Sequence, residues 1–331
     1  MIELAPPPQH LLVIHSWPDG RARYADHLDH STVDVSYVTT PAAAASVPAA
    51  AAGIEVVQRT DDLLQVANAA GRLSQRLGSP SRIIALAERD LDVAAELRVL
   101  LGCPGRTPQQ LDQFRHRAAL LVDESRVPAP VRVDGVWDGR RLVSWRAARQ
   151  LTGLTGEAAI EVPDGPAANR LADLAAGVLA DLVDTATVVH VGLTEPDRRG
   201  AAPVPNELAG WPADDDQPLL LRELHGIDLM AAELALQRGV ALPAGDIAPT
   251  GMVGGWLAVP APVPPPCVVD RIELAAGPLP PYAAVLPVAG ERIAAGTRFP
   301  VRLRFRGSSA EQVAEAIRQA DRSLRFRCSP A

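Results

Sequence analysis

The sequence predicts an α/β fold that opens on a mainly parallel sheet, and three features carry that expectation. Short apolar runs at 10–14, 54–57 and 82–86, with the period-two stretch 33–38, have the length and composition of buried strands. Helical spacing at 61–77 and 91–101 alternates with them, and a glycine stops each helix, Gly78 and Gly102. Near the other end, Val301-Arg302-Leu303-Arg304-Phe305-Arg306 alternates strictly, and a Ser308…Glu311 capping box opens a helix to about Ser323. Strands and helices that alternate as they do in the first part stack in three layers around one open sheet.

The remaining elements follow in order. Residues 41–52 are mostly alanine with two prolines and read as a loop with a helical turn. A helix from 108 to 124 carries Phe114-Arg115-His116-Arg117. After Pro128 and Pro130, residues 131–143 read as a hairpin turned by Asp138-Gly139. A helix at 166–182 and a strand at 187–193 come next, then an acidic loop, Asp214-Asp215-Asp216. Residues 219–237 are apolar and helix-compatible, broken by Gly226, whereas 240–281 are dense in Pro and Gly and read as mostly irregular.

Composition removes several function classes. All 32 basic positions are arginine, so no lysine is present for a Schiff base, a GxxxxGK phosphate loop or a general base. A net charge of −7 argues against general nucleic-acid binding, which needs a basic surface. No uncharged apolar stretch is long enough for a spanning helix, and Met1-Ile2-Glu3-Leu4 lacks the pattern of a signal peptide. Cys103, Cys267 and Cys328 fit neither a disulfide framework nor paired zinc spacing, and read as small buried residues of a cytoplasmic protein without metal.

The stretch Ile83 to Arg98, with Glu88 and Ala94-Ala95-Glu96-Leu97-Arg98, followed by Leu101-Gly102-Cys103-Pro104-Gly105, resembles the ATP-grasp superfamily. There, a similar run closes the N-terminal domain of carboxylate–amine ligases and leads to a helix with an R-D-K triplet, replaced here by Arg115-His116-Arg117. Thr187–Gly192 resembles the family's H-x-E strand, Pro205–Trp211 its E-x-N-x-R strand, and Gly226–Leu229 the start of the next helix. Gly307–Val313 resembles the closing G-x-S-x-E helix. The resemblance implies a pre-ATP-grasp-like domain at 1–107 and a truncated ATP-grasp-like α+β module at 108–240. It implies a Pro/Gly-rich connection with a C-terminal β-hairpin and helix at 241–331.

The pattern fails at the chemistry. Active members hold nucleotide between a glycine-rich, lysine-bearing phosphate lobe and a lobe whose carboxylates carry magnesium; transfer depends on that positioning and charge neutralisation. Here the chain passes from Val127–Pro130 to Val133–Gly139, which resembles a segment beyond the phosphate-binding subdomain, so the resemblance implies that most of that subdomain is absent. Gly192 stands where a metal-ligating carboxylate is expected, Ala209 replaces the asparagine and Trp211 the arginine, leaving Glu207.

The resemblance therefore implies a degenerate homologue without ATP-dependent ligase activity, acting as non-catalytic subunit, scaffold or ligand-binding partner of a biosynthetic ligase. Glu207 is the candidate catalytic residue or residual metal ligand, and Arg115 and Arg117 are candidate anion-binding residues. No cofactor is expected. The expected partner is an ATP-grasp ligase or another biosynthetic enzyme, with homodimerisation as a further option and neither nucleic acid nor membrane as a partner. Two alternatives stay open. One is an active carboxylate–amine or carboxylate–thiol ligase using ATP and Mg2+ through Arg117 and Glu207; the other is an ATP-independent enzyme in the remodelled cleft. His190, on an apolar strand, reads as a satisfied core histidine, and Glu88 and Arg98 as structural. His27 and His30 share helical spacing but lack a third ligand. Alternation puts Arg302, Arg304 and Arg306 on one strand face.

Overall fold

A computed structural model describes residues 10–121, 131–194, 204–213, 215–242 and 251–331. The expected helix end at 122–124, the 127–130 turn, Asp214 and the amino-terminal residues 1–9 lie outside them. The first unit runs β1 (His10–His15), α1 (Tyr24–His27), β2 (Asp34–Thr39), β3 (Gly53–Val56), α2 (Leu63–Leu77), β4 (Arg82–Ala85), α3 (Leu91–Leu101) and α4 (Pro108–Leu121). Its four strands are parallel, in the order β3-β2-β1-β4.

The unbroken apolar run of β1 follows from its central place. Leu12 and Ile14 pack towards α2 and α3, while Leu11 and Val13 pack on the other face with Tyr24, Tyr37 and Met230. A strand covered on both sides has no face left for polar alternation. Asp62 caps α2 by accepting from the Gln65 N–H at 3.1 Å, and Gly102 ends α3 in the left-handed region that glycine tolerates.

The rest runs β5 (Val131–Trp137), β6 (Leu142–Gln150), β7 (Glu157–Glu161), α5 (Pro166–Leu182), β8 (Thr187–Leu193), β9 (Pro205–Ala209), α6 (Gln217–His225) and α7 (Leu229–Arg238). There follow β10 (Val253–Val259), β11 (Cys267–Glu273), β12 (Ala283–Val285), β13 (Arg292–Ile293), β14 (Val301–Gly307), α8 (Ala310–Ser323) and β15 (Arg325–Pro330). Eight strands form an antiparallel sheet in the order β12-β14-β10-β7-β6-β5-β8-β9, so it draws strands from both sides of residue 240. The helices α5 and α8 cover one face, burying Val133, Trp137, Leu303 and Phe305. On the other face α6 and α7 bury Val136, Val188, Ala159 and Trp256. A three-stranded sheet, β13-β11-β15, completes the chain.

Two sequence readings need correction. Residues 253–259 and 267–273 are strands rather than irregular chain, and every residue of β10 is buried near the middle of the large sheet. Its glycines mark close packing, not a turn. A Cβ on Gly254 would lie 2.2 Å from Leu220 of α6, and one on Gly255 would lie 2.7 Å from Val313 of α8. The helix cap sits one residue later than expected and is not the reciprocal box. Ser309 caps α8 by accepting from the Gln312 N–H at 3.2 Å, and Gln312 Oε1 accepts from the Ser308 N–H at 3.0 Å.

The first sheet is tied to the second unit through α7. The Gln237 amide donates to the Ala85 carbonyl at 2.7 Å and accepts the Ala85 N–H at 2.9 Å, pairing with β4 as a neighbouring strand would. Arg98, buried beneath, donates to the Ile83 carbonyl at 2.8 Å and to Gln237 Oε1 at 2.9 Å. Its role is structural, while Glu88 is exposed.

Candidate functional site

The chemistry-bearing residues converge near the β9 edge of the large sheet, on the face covered by α6 and α7. Strand pairing builds two rows. Arg132 on β5 faces Gly192 on β8, which faces Glu207 on β9; beside them, Asp134 faces His190, which faces Ala209. Glycine at 192 and alanine at 209 leave the neighbouring long side chains room to lean across.

They do so as one charge network. The His190 Nδ1 donates to Asp134 Oδ1 at 2.8 Å, and its Nε2 lies 3.4 Å from Glu207 Oε2. The other Asp134 oxygen is 3.0 Å from Arg132 Nε. Arg132 also holds Asp215 with two nitrogens, one at 2.9 Å, and Asp215 accepts the Gln217 N–H at 2.9 Å at the start of α6. The Arg132 guanidinium lies 5.7 Å over the Trp256 ring, whose Nε1 donates to Gln217 Oε1.

Burial separates these groups by role. Asp134 is fully buried and His190 nearly so, whereas the Glu207 side chain is 62% exposed. Burial alone would lower the His190 pKa, but the Asp134 charge and the hydrogen bonds to Asp134 and Glu207 overcome it and push the value up to about 10. The hydrogen bond from His190 holds the Glu207 carboxyl below its ordinary range. Burial would raise Asp215, yet Arg132 draws it below the usual carboxylate value.

A second buried strip continues across the sheet. The Arg146 Nη2 donates to His225 Nδ1 at 3.2 Å, so the His225 proton sits on Nε2, which donates to Glu161 at 2.9 Å. Glu161 also accepts the Gly254 N–H at 2.7 Å. A cavity of about 350 Å³ opens beside it, lined in part by Asp164, His225, Ser309 and Glu311. At the far end Asp216 lies between Arg302 and Arg304, at 3.6 and 3.2 Å, and Arg302 reaches Asp19 of the first unit at 2.8 Å. Arg302 and Arg304 are therefore committed to internal carboxylates, while the Arg306 guanidinium covers the Tyr282 ring.

The other expected site residues have other partners. Arg115 pairs with Asp92 at 2.6 Å and lies 5.7 Å over Trp211. Arg117 donates to the Leu182 carbonyl at 3.2 Å, at the end of α5. Both stand on α4, and neither of these polar partners is Glu207. His27 lies 3.4 Å from Asp228, whereas His30 binds Tyr37 Oη and the Leu28 carbonyl, so the two do not converge. The three cysteines are free thiols, and among them only Cys267 is fully buried. Among the described residues, no group of three His, Cys, Asp or Glu side chains is placed to hold a metal ion, and no helix is long and apolar enough to cross a membrane.

Known structures share this arrangement of sheets. An L-amino acid ligase from Bacillus licheniformis superposes with a TM-score of 0.70 at 12% identity, over 98% of this chain and 99% of its own. A phosphoribosylglycinamide synthetase from Anaerococcus prevotii gives 0.65 at 8% identity, over 96% and 99%. An N5-carboxyaminoimidazole ribonucleotide synthetase from Thermotoga maritima gives 0.62 at 9% identity, over 96% and 99%. The chain has an ATP-grasp-like fold. No family model and no curated protein matches its sequence. Within the ATP-grasp fold, magnesium would need one or two free carboxylates together with substrate phosphates. The donor set here does not fit it: Glu207 is engaged by His190, and Asp134 and Asp215 by Arg132 and His190.

Proposed function

We propose that this chain keeps the ATP-grasp fold without ATP-dependent ligase chemistry and serves, in the cytoplasm, as a non-catalytic subunit, scaffold or ligand-binding partner of a biosynthetic ligase. The observation that carries this reading is the internal pairing of the charges on this sheet face. Phosphoryl transfer needs cations aimed at the phosphates and carboxylates free to hold metal. Here the cations Arg132 and His190 are aimed at the carboxylates, so each group is spent on the other. The absence of lysine supports the same reading, as does the loss of the phosphate-binding subdomain that the sequence resemblance implies. An active ligase with Arg117 and Glu207 as its minimal site would have to take Arg117 from the α5 carbonyl end and Glu207 from His190.

Co-purification of the tagged chain from its native host tests this. Recovery of a complete ATP-grasp ligase, in fixed stoichiometry through size exclusion, is the expected result. A chain that emerges alone and monomeric contradicts it.

A further inference from the structure

Three carboxylates and two cations share one small area of the sheet, and their pairing decides what else can enter. We propose that His190 and Arg132 are built-in counter-cations that close this face to divalent metal ions, and that removing the imidazole opens a latent cation site between Asp134 and Glu207. This rests on reading the face as one without nucleotide chemistry.

A neutral imidazole has one donor nitrogen and one acceptor nitrogen. Both nitrogens of His190 face carboxylate oxygens, Asp134 at 2.8 Å and Glu207 at 3.4 Å, so only the doubly protonated ring suits both neighbours. Arg132 repeats the arrangement one row away, bridging Asp134 and Asp215. Asp134, Asp215 and Glu207 supply three negative charges against two positive ones, and each of the three has at least one of the two cations within 3.4 Å. A divalent ion arriving at Glu207 would compete with a cation that already holds the same oxygen, and would stand close to a second. Deleting the ring removes the competitor and leaves a space of imidazole size on β8, between carboxylates on the two strands that flank it, β5 and β9. Asp134 is fully buried there, and Gly192 and Ala209 offer nothing to fill it.

Free Mn2+ measured by electron paramagnetic resonance, with the full chain and no nucleotide, tests the proposal. The wild-type chain should leave the Mn2+ signal unchanged. His190→Ala should bind one ion per chain, at least about ten-fold more tightly than wild type, a gain of about 1.4 kcal/mol. Adding Glu207→Gln should abolish the gain. If the alanine chain does not fold by circular dichroism, His190→Gln, which keeps a donor for Asp134 without charge, carries the same expectation. Stoichiometric Mn2+ binding by wild type that Glu207→Gln removes would overturn the proposal, and so would folded His190 variants that gain nothing. Wild type that binds Mg·ATP yet leaves free Mn2+ untouched would sink the functional reading while leaving this one standing.

Discussion

Asp134→Asn should lower the unfolding free energy by about 3–5 kcal/mol, the range for breaking a buried ion pair from one side. The carboxylate has no exposure, and it holds His190 at 2.8 Å and Arg132 at 3.0 Å on its two oxygens. The amide is nearly isosteric, so the loss isolates charge rather than volume. It leaves two cations facing a neutral group inside the sheet, where water cannot replace the lost partner. Glu207→Gln changes the same network from its solvent side, and an exposed pair is worth roughly 0–1 kcal/mol. Urea unfolding followed by circular dichroism separates the two cases. Equal shifts for Asp134→Asn and Glu207→Gln would contradict the buried-network description.

The second large effect is on pH. The His190 pKa rises from the ordinary 6.5 to about 10 in the folded chain: burial opposes the shift, and Asp134 and Glu207 drive it. A group whose pKa is raised on folding contributes fully below its unfolded value, and that contribution is lost as pH rises through the folded one. Unfolding free energy should therefore fall between pH 6.5 and about 10, by an amount on the order of a few kcal/mol. Other groups titrate in that window, so the measured quantity is the difference between wild type and His190→Gln. That difference should shrink steadily across the window. Parallel curves for the two chains would show that the imidazolium does not hold the network.

Much of the fold was legible because its signals are local. The periodicity of α2, α3 and α5 and their stops lie within each segment, and β1 and β8 are apolar runs that only a covered strand accounts for. The strand β10 was not legible, because its Gly254-Gly255 pair looks like a turn until helices are packed on both faces. Short β7, Glu157–Glu161, has too little alternation to stand out. At the site, Glu207 stands out in the sequence, whereas His190 reads there as a core histidine and the partners of both do not show. Asp134 and Arg132 sit in a strand read only as a hairpin arm, and Asp215 in a loop read only as acidic. What joins them is the β5-β8-β9 pairing, which brings together residues far apart in the chain. The one available signal was the alternation of Arg132 and Asp134 with Val131 and Val133 in the first half of β5.

The claim that nucleotide chemistry is gone is tested most directly by isothermal titration of the full chain with ATP in excess Mg2+. With Arg132 and His190 spent on internal carboxylates and no lysine to hold phosphate, no heat beyond dilution is expected into the millimolar range. Saturable 1:1 binding in the micromolar range, lost on Glu207→Gln or Arg117→Ala, would contradict it.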